Sequence, residues 1–207
     1  MTDAAEEPMT DPDDAPAARR ARLAALERGT SLAAALAFFD ALPPADPAGL
    51  AGRWRGSGVP TGHPLDGTLE ALGWLGKRFE PTGDAHPLLL AGPRGVVVDL
   101  DPRVVPLRLA LRCAPLLRRG PVARAVRALL PLAGTRGPRA RVRAVVHRGV
   151  TTAAMTYDAL PVEDAFRAVD DDTLLGLMEA RGMDRPYLFV LRRVPAQDTL
   201  PCSSRRQ

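Results

Sequence analysis

Hydrophobic positions recur with a helical period in three parts of the chain. Between residues 17 and 43 they lie three and four apart, which predicts two short helices separated by Gly29. Residues 67–79 have the same spacing and predict another helix. Between 104 and 133, arginines recur at similar intervals among Leu, Val and Ala, and prolines interrupt the pattern. This region predicts two or three short amphipathic helices.

Other segments are typical of β-strands. Glycines too dense for a helix surround Trp54, which favours a strand at 52–58. Alternation or short apolar runs next to turns predict further strands at 88–90, 96–98, 141–146, 152–157, 174–178 and 187–193. The consecutive strands have short links and no helical crossover. We therefore predict an α+β protein with an antiparallel β-barrel or strongly curved sheet of about seven or eight strands.

These patterns divide the chain into segments of a single barrel. We expect N-terminal helices and an Arg-rich helical insertion to cover one of its openings. The predicted segments are a disordered tail at 1–16, N-terminal helices at 17–45, a first barrel segment at 46–100, the Arg-rich insertion at 101–138, a C-terminal β segment at 139–195 that completes the same barrel, and a second disordered tail at 196–207.

Composition narrows the cellular setting. The chain has 207 residues and no apolar run long enough to cross a bilayer, and its acidic start resembles neither a secretory signal nor a transit peptide. Two cysteines are too few for a disulfide framework. We therefore expect a cytoplasmic protein.

Basic residues are unevenly chosen and unevenly placed. Of the 28 Lys and Arg residues, only Lys77 is a lysine, a bias that matches GC-rich codon usage. Residues 102–157 hold twelve arginines and no acid. This block can face solvent, an anionic ligand, a membrane surface, RNA, or the acidic run 170–172. Nucleic acid is not an expected partner, because aromatic residues make up 4% of the chain and stacking platforms are scarce.

Two stretches resemble known domains. Gly52-x-Trp54-x-Gly56, followed by residues 65–79, resembles the GXWXG domain. The stretch from Thr152 to Met178 resembles the domain of unknown function 4334 that accompanies it; its matching positions include Met155, Tyr157, Asp158, Asp164, Phe166, Arg167 and Asp170. The resemblance implies a bacterial or fungal protein of unassigned activity. By analogy, a Gly-x-Trp near the first strand is similar to lipocalin-like and nitrobindin-like barrels, which hold apolar ligands or haem.

The second stretch also supplies candidate chemistry. A phenol, a carboxylate and a guanidinium converging in an apolar cup can bind a carboxylate or enolate and move a proton, so the candidate catalytic residues are Tyr157, Asp164 and Arg167. The candidate ligand-binding residues are Trp54, Trp74, Met155, Asp158, Phe166 and Asp170. In the alternative interpretation, Asp164 caps a short helix at 162–169 and pairs with Arg167 for structure alone.

Three functions remain open. The first is binding of a small, largely apolar molecule, anionic-ended in one version, in a barrel pocket. The second is a cofactor-free acid–base lyase or isomerase acting on a small organic acid or carbonyl compound. The third is an interaction module that places basic helices on anionic lipid or RNA, so peripheral membrane contact stays open. The three histidines have neither metal-ligand spacing nor a late-strand haem position, so we expect no metal and no cofactor. The sequence leaves the oligomeric state open.

Overall fold

The computed structural model describes residues 15–195. The strands are β1 Gly52–Gly58, β2 Trp74–Phe79, β3 Asp84–Ala91, β4 Val97–Asp99, β5 Ala140–His147, β6 Val150–Tyr157, β7 Val162–Asp170, β8 Thr173–Ala180 and β9 Tyr187–Arg193. The α-helices are α1 Pro16–Leu26, α2 Leu32–Ala41, α3 Thr68–Ala71, α4 Leu107–Leu117 and α5 Gly120–Leu129. The predicted tails at 1–16 and 196–207 lie outside the described residues, except for positions 15 and 16, where α1 begins.

The strands form a closed antiparallel barrel, which confirms the predicted fold class. The hydrogen-bonded order is β2-β1-β9-β8-β7-β6-β5-β3, and β3 also pairs with β2, so the circle of strands is complete. Neighbouring strands on the C-terminal side are consecutive in sequence, as short turns between antiparallel strands require. Closure leaves the strands of the circle without a free edge.

The barrel wall divides at β3. Near its start, β3 pairs with β5 through Asp84 and Ala85. Further along, at Leu89–Ala91, its partner is β4 instead. Helix α5 and residues 130–133 pack against this divided edge, where Leu90, Val98, Leu100 and Leu130 form one buried cluster. The Arg-rich helices α4 and α5, predicted from their spacing, therefore lie beside the closed circle of strands, and α5 packs on the side where the partner of β3 changes from β5 to β4.

The N-terminal helices cover the outside of the barrel. Phe38 and Phe39 of α2 pack with Leu23 of α1 against outward-facing residues of β7–β9, among them Val169. The Ser31 side chain accepts a hydrogen bond from the Ala34 amide and caps α2. The predicted helical pair is therefore present, but its predicted position over an opening is wrong, because it buries its apolar face on the outside of the sheet.

The helix predicted at 67–79 is wrong over most of its length. Helix α3 ends at Ala71, Gly73 takes a left-handed φ of 79°, and β2 begins at Trp74. Residues 74–79, including Phe79 of the helical stripe, pair instead with β1 and β3, because closing the barrel outweighs a weak local preference for helix.

The short helix at 162–169, weighed as an alternative, is also wrong. This segment is β7, paired with β6 on one side and β8 on the other. Val162, Asp164 and Phe166 alternate with residues that face the N-terminal helices, so the segment follows the two-residue period of a strand. Within residues 15–195, no helix is long and apolar enough to cross a membrane.

Candidate functional site

The inside of the barrel is filled at one end and hollow at the other. Large side chains fill the closed end, including Trp54, Phe79, Met155, Phe166 and Leu191. The other end holds a cavity of about 540 Å³ lined by side chains from α3–α5 and several strands. Its lining is almost entirely aliphatic and aromatic. The size lies within the ~300–1,000 Å³ typical of small-molecule pockets.

A buried ion pair lies at the inner side of this cavity. Lys77 Nζ is 2.9 Å from Asp164 Oδ2, and both side chains are almost fully shielded from solvent, with 3% and 0% exposed. Lys77 Nζ also donates to the Pro87 carbonyl at 3.2 Å and to the Tyr157 hydroxyl at 3.5 Å. Tyr157 donates to Asp164 Oδ2 at 3.4 Å. Lys77 and Tyr157 line the cavity.

An irregularity in β2 turns Lys77 toward the interior. Trp74 and Lys77 are three residues apart, so a regular strand would place them on opposite faces. Gly76 takes a φ of 129°, and the β2–β3 register shifts on both sides of it. Trp74, Lys77 and Phe79 consequently all point into the barrel. A Cβ atom at Gly76 would lie 1.9 Å from the Trp54 carbonyl oxygen, so glycine is required there.

The environment of the Lys77–Asp164 pair favours the neutral, protonated forms of Asp164 and of the neighbouring Tyr157. Burial raises the pKa of Asp164 above its usual range, and the positive charge of Lys77 opposes that rise. Burial and the adjacent Asp164 carboxylate together raise the pKa of Tyr157 well above that of an ordinary phenol. Tyr157 is therefore a hydrogen-bond donor at neutral pH. The Asp164 carboxyl can hold a proton more readily than a solvated aspartate can.

The cavity wall depends on two aromatic rings that lie on glycines. A Cβ atom at Gly56 would be 2.3 Å from the Trp74 ring, and one at Gly176 would be 2.3 Å from the Phe189 ring. The two rings meet edge to face at 5.8 Å, and Lys77 Nζ lies 5.0 Å from the centre of Phe189. The second glycine of the Gly-x-Trp-x-Gly motif thus makes room for Trp74, while Trp54 donates its indole N–H to the Leu50 carbonyl at 2.7 Å.

Two buried hydroxyls in the lining have no hydrogen-bond partner within residues 15–195. They belong to Thr68 on α3 and Tyr187 on β9. Buried polar atoms are seldom left without a partner, because desolvation is costly when no hydrogen bond replaces water. Thr68 thus brings an unpaired hydroxyl to the lining, while the Tyr187 hydroxyl lies toward Gly58, which is not part of the lining.

The structure brings together only part of the predicted site. Tyr157 and Asp164 meet at the ion pair, and Trp74 forms part of the cavity wall. Trp54, Met155 and Phe166 belong to the filled end of the barrel.

Three other predicted residues lie away from the cavity. Arg167 is on the opposite face of β7 from Asp164, where it donates to the carbonyls of Leu42 and His147 at 3.5 and 3.4 Å. Asp170 pairs with Arg20 at 3.1 Å. Asp158, on the outer surface, lies 3.5 Å from Arg141. These contacts place the three side chains outside the cavity.

Lys77 was missed as a site residue, although the sequence carries a signal for it. Where a positive charge alone is needed, this chain uses arginine. The single lysine was therefore a residue to single out from composition alone. Its inward orientation was not predictable, because the segment was interpreted as a helix and the irregularity at Gly76 depends on pairing with β1 and β3.

The mouth of the cavity is apolar, and the helices that contribute to it also carry arginines. Leu109, Leu116 and Leu129 line the cavity and are 55%, 45% and 61% exposed. Leu132 lies in sequence between the lining residues Leu130 and Ala133 and is 85% exposed. Within residues 15–195, several arginines from α4, α5 and their flanks have no carboxylate within ion-pair distance; they are at positions 108, 112, 118, 119, 124, 127 and 136.

Comparisons with known proteins agree with the sequence motifs. Residues 37–95 match the family model of the GXWXG protein, and residues 138–193 match a domain of unknown function, DUF4334. A solved structure, titled "Crystal structure of protein from Thermomonospora curvata", is 28% identical, with a TM-score of 0.63; the match covers 86% of this chain and 99% of that one. No curated protein matches this chain. The predicted resemblance to both domains is confirmed.

Proposed function

We propose that this chain, in which a GXWXG segment and a DUF4334 segment form one barrel, binds a small and largely apolar molecule that carries a carbonyl group. The observation that supports this proposal is the cavity of about 540 Å³, whose apolar lining ends at the donors Lys77 Nζ and Tyr157 hydroxyl. Aliphatic and aromatic walls favour a hydrocarbon body. A few convergent donors fix one polar end.

The charge balance favours a neutral head group over an anion. Lys77 is the charged residue of the lining, and Asp164 directly behind it cancels its charge. A carboxylate entering this site gains attraction from Lys77 but meets repulsion from Asp164, and it loses its own hydration. A ketone or aldehyde oxygen can accept a hydrogen bond from Lys77 Nζ in place of the Tyr157 hydroxyl, whose distance to Nζ is 3.5 Å, with a much smaller desolvation cost. We therefore expect carbonyl compounds to bind more tightly than carboxylates of equal length.

Calorimetric titration with three ligands of one chain length tests this proposal. The ligands are decane, 2-decanone and decanoate. We expect 2-decanone to bind most tightly, because its chain fills the apolar volume and its carbonyl oxygen also accepts a hydrogen bond from Lys77. Absence of saturable binding for every ligand would contradict the proposed function. Tightest binding of decanoate would contradict the neutral head group alone.

The double variant Lys77→Met/Asp164→Leu isolates the polar end. It keeps the cavity apolar and leaves no unpaired buried charge. The loss of a charge-assisted hydrogen bond, about 1.5–3 kcal/mol, weakens 2-decanone binding by roughly 10- to 150-fold and leaves decane binding unchanged. Arg55→Met is the matched control, because Arg55 is an exposed cation on β1, the strand that pairs with β2. It should bind both ligands as the unmodified protein does.

We further propose that the mouth of the cavity docks on an anionic lipid bilayer. Exposed leucines beside the mouth can enter the headgroup region, and the surrounding arginines that lack acidic partners face its charge. Because Leu109, Leu116 and Leu129 also line the cavity, an apolar ligand can pass from membrane to barrel without crossing water. The expected cytoplasmic location would place this face near anionic lipids.

Sedimentation with vesicles tests the docking. Binding to phosphatidylglycerol-containing vesicles should exceed binding to pure phosphatidylcholine and should fall with added salt. Replacing Arg119 and Arg124 by Gln should weaken it by roughly 30-fold, at about 1 kcal/mol per arginine, and Leu129→Ser/Leu132→Ser should weaken it at every salt concentration. Arg53→Gln/Arg55→Gln removes the same charge from β1 and is the control. The result that would contradict membrane docking and support an RNA partner is binding to RNA that falls with added salt but is unchanged by the leucine substitutions.

A further inference from the structure

The geometry points to Lys77 as a nucleophile that forms an imine with an aldehyde or ketone held in the cavity. This inference rests on the proposed binding of a carbonyl compound and deepens it, because it assigns a covalent step to the same site. Three independent features support it: the choice of residue at position 77, its position in the cavity, and the groups around its amine.

The choice of residue distinguishes an amine from a charge. Lys77 is the sole lysine in a chain that otherwise uses arginine for its basic side chains. A guanidinium stays protonated in proteins and is a poor nucleophile, whereas a primary amine can lose its proton and attack a carbonyl carbon. The one position at which the chain keeps a primary amine side chain is also one that solvent does not reach, so solubility does not explain it.

The position of Lys77 makes the amine available to a ligand but not to bulk water. Its side chain lines the cavity and is 3% exposed to solvent. Aromatic rings surround Nζ, with the centres of Phe189, Trp74 and Tyr157 at 5.0, 5.7 and 5.8 Å. A carbonyl oxygen that replaces the Tyr157 hydroxyl as an acceptor from Lys77 brings its carbon next to Nζ. Limited access of water also protects an imine from hydrolysis.

The neighbouring groups can take and return the protons that imine formation requires. Asp164 Oδ2 is 2.9 Å from Nζ, and Asp164 Oδ1 has no hydrogen-bond partner within residues 15–195. Burial raises the pKa of this carboxyl, which favours its protonated form. Tyr157 lies between the two, 3.5 Å from Nζ and 3.4 Å from Oδ2. A proton can therefore pass from Lys77 to Asp164 without creating net charge in the apolar site.

The steps balance without an added reactant. Lys77 transfers one proton to Asp164 and becomes a neutral amine. Nζ attacks the carbonyl carbon, the N–C bond forms as the C=O π bond breaks, and the oxygen takes a proton from the Tyr157 hydroxyl, which is reprotonated from the new ammonium nitrogen. The carbinolamine oxygen then takes the proton held by Asp164 and leaves as water. The sum is ammonium plus carbonyl giving iminium plus water, with the Asp164 carboxylate beside the iminium.

Reductive trapping in the full-length protein tests the inference. The protein is incubated with decanal and sodium cyanoborohydride near neutral pH, and the modified residue is located by peptide mapping. Because Lys77 is the sole lysine, its adduct can be confused only with that of the N-terminal amine, which lies on another peptide. Arg55→Lys adds an ordinary exposed lysine to the same molecule as an internal reference.

We expect position 77 to be labelled at least about tenfold faster than the lysine placed at position 55, since the cavity concentrates the aldehyde at a dry amine. Decane at saturating concentration should slow labelling at position 77 and not at position 55. Tyr157→Phe should slow labelling at position 77 several-fold more than it lowers the affinity for 2-decanone in calorimetry. Lys77→Arg should give no adduct at that position.

The outcomes separate this inference from the proposed function. If 2-decanone binds by calorimetry but labelling at position 77 is no faster than at position 55, imine formation is refuted and ligand binding stands. If 2-decanone does not bind and position 77 is not labelled, both proposals fail. Because the unmodified protein has one lysine, the test does not depend on whether any variant at position 77 folds.

Discussion

Removing one member of the Lys77–Asp164 pair should destabilise the protein far more than removing both. Lys77→Met keeps the length of the side chain but leaves the Asp164 carboxylate buried without its cation. Because both side chains are almost completely shielded, water does not replace the lost partner. Breaking a buried pair in this way costs about 3–5 kcal/mol of folding free energy. The double variant Lys77→Met/Asp164→Leu removes both charges, and its free energy of unfolding should lie within about 1–2 kcal/mol of the original or exceed it.

The cost of Lys77→Met should depend on pH with a defined sign. Burial already raises the pKa of Asp164, and removing Lys77 takes away the positive charge that opposes that rise. The folded state then binds a proton more tightly than the unfolded chain, whose aspartate pKa is about 3.9. The contribution of Asp164 to the stability of the variant is therefore most favourable below about pH 4 and is lost as the pH rises through its folded-state pKa. Its deficit relative to the original protein should be largest near neutral pH.

Urea denaturation followed by circular dichroism measures these differences. The original protein, Lys77→Met, the double variant and Arg55→Met are compared near pH 7 and near pH 4.5. The surface control should change the free energy of unfolding by no more than about 0.5 kcal/mol. The reasoning is refuted if the single and double variants lose equal stability near pH 7, or if the deficit of Lys77→Met does not shrink on acidification.

Two glycine substitutions test how the cavity is built. Gly76→Ala should cost about 2–4 kcal/mol in unfolding free energy, because its Cβ would meet the Trp54 carbonyl oxygen at 1.9 Å; Gly62→Ala, which has a positive φ but open space around it, is the control and should cost about 1–2 kcal/mol. An equal loss in the two variants would contradict the close contact at Gly76. Gly56→Ala should push the Trp74 ring into the cavity and weaken 2-decanone binding by at least about tenfold in calorimetry, while unchanged affinity would show that the ring does not define the wall.

The architecture was largely predictable because its signals are local. Alternation in the C-terminal third, short links between strands and the glycines around Trp54 were sufficient to indicate an antiparallel barrel. The proline-broken arginine segments gave α4 and α5. The helix predicted at 67–79 was wrong because Leu69, Leu72 and Leu75 have helical spacing in the local sequence, whereas pairing across the closed barrel is a long-range effect.

The site was less predictable because it depends on which way side chains point. Residues three apart lie on one side of a helix but on opposite sides of a strand. Asp164 and Arg167 therefore converge only if their segment is helical, and in β7 they face the cavity and the N-terminal helices respectively. The reverse holds for Trp74 and Lys77, which share a face of β2 through the irregularity at Gly76. Such an irregularity follows from pairing with two neighbours and leaves only a glycine in the sequence.

The division of the wall at β3 separates the strands that build the fold from the helices that shape the cavity. The strands of the closed circle belong to the two matched segments, 37–95 and 138–193, while α4 and α5 lie in the interval between them. Mutations in this interval can reshape the cavity without disturbing the strand pairing of the closed circle. Under the proposed function, relatives that share these strands and Lys77 but differ in α4 and α5 would bind carbonyl compounds of different width. Exchanging the segment that contains α4 and α5 between homologues is the most direct way to change which ligand sizes the cavity accepts.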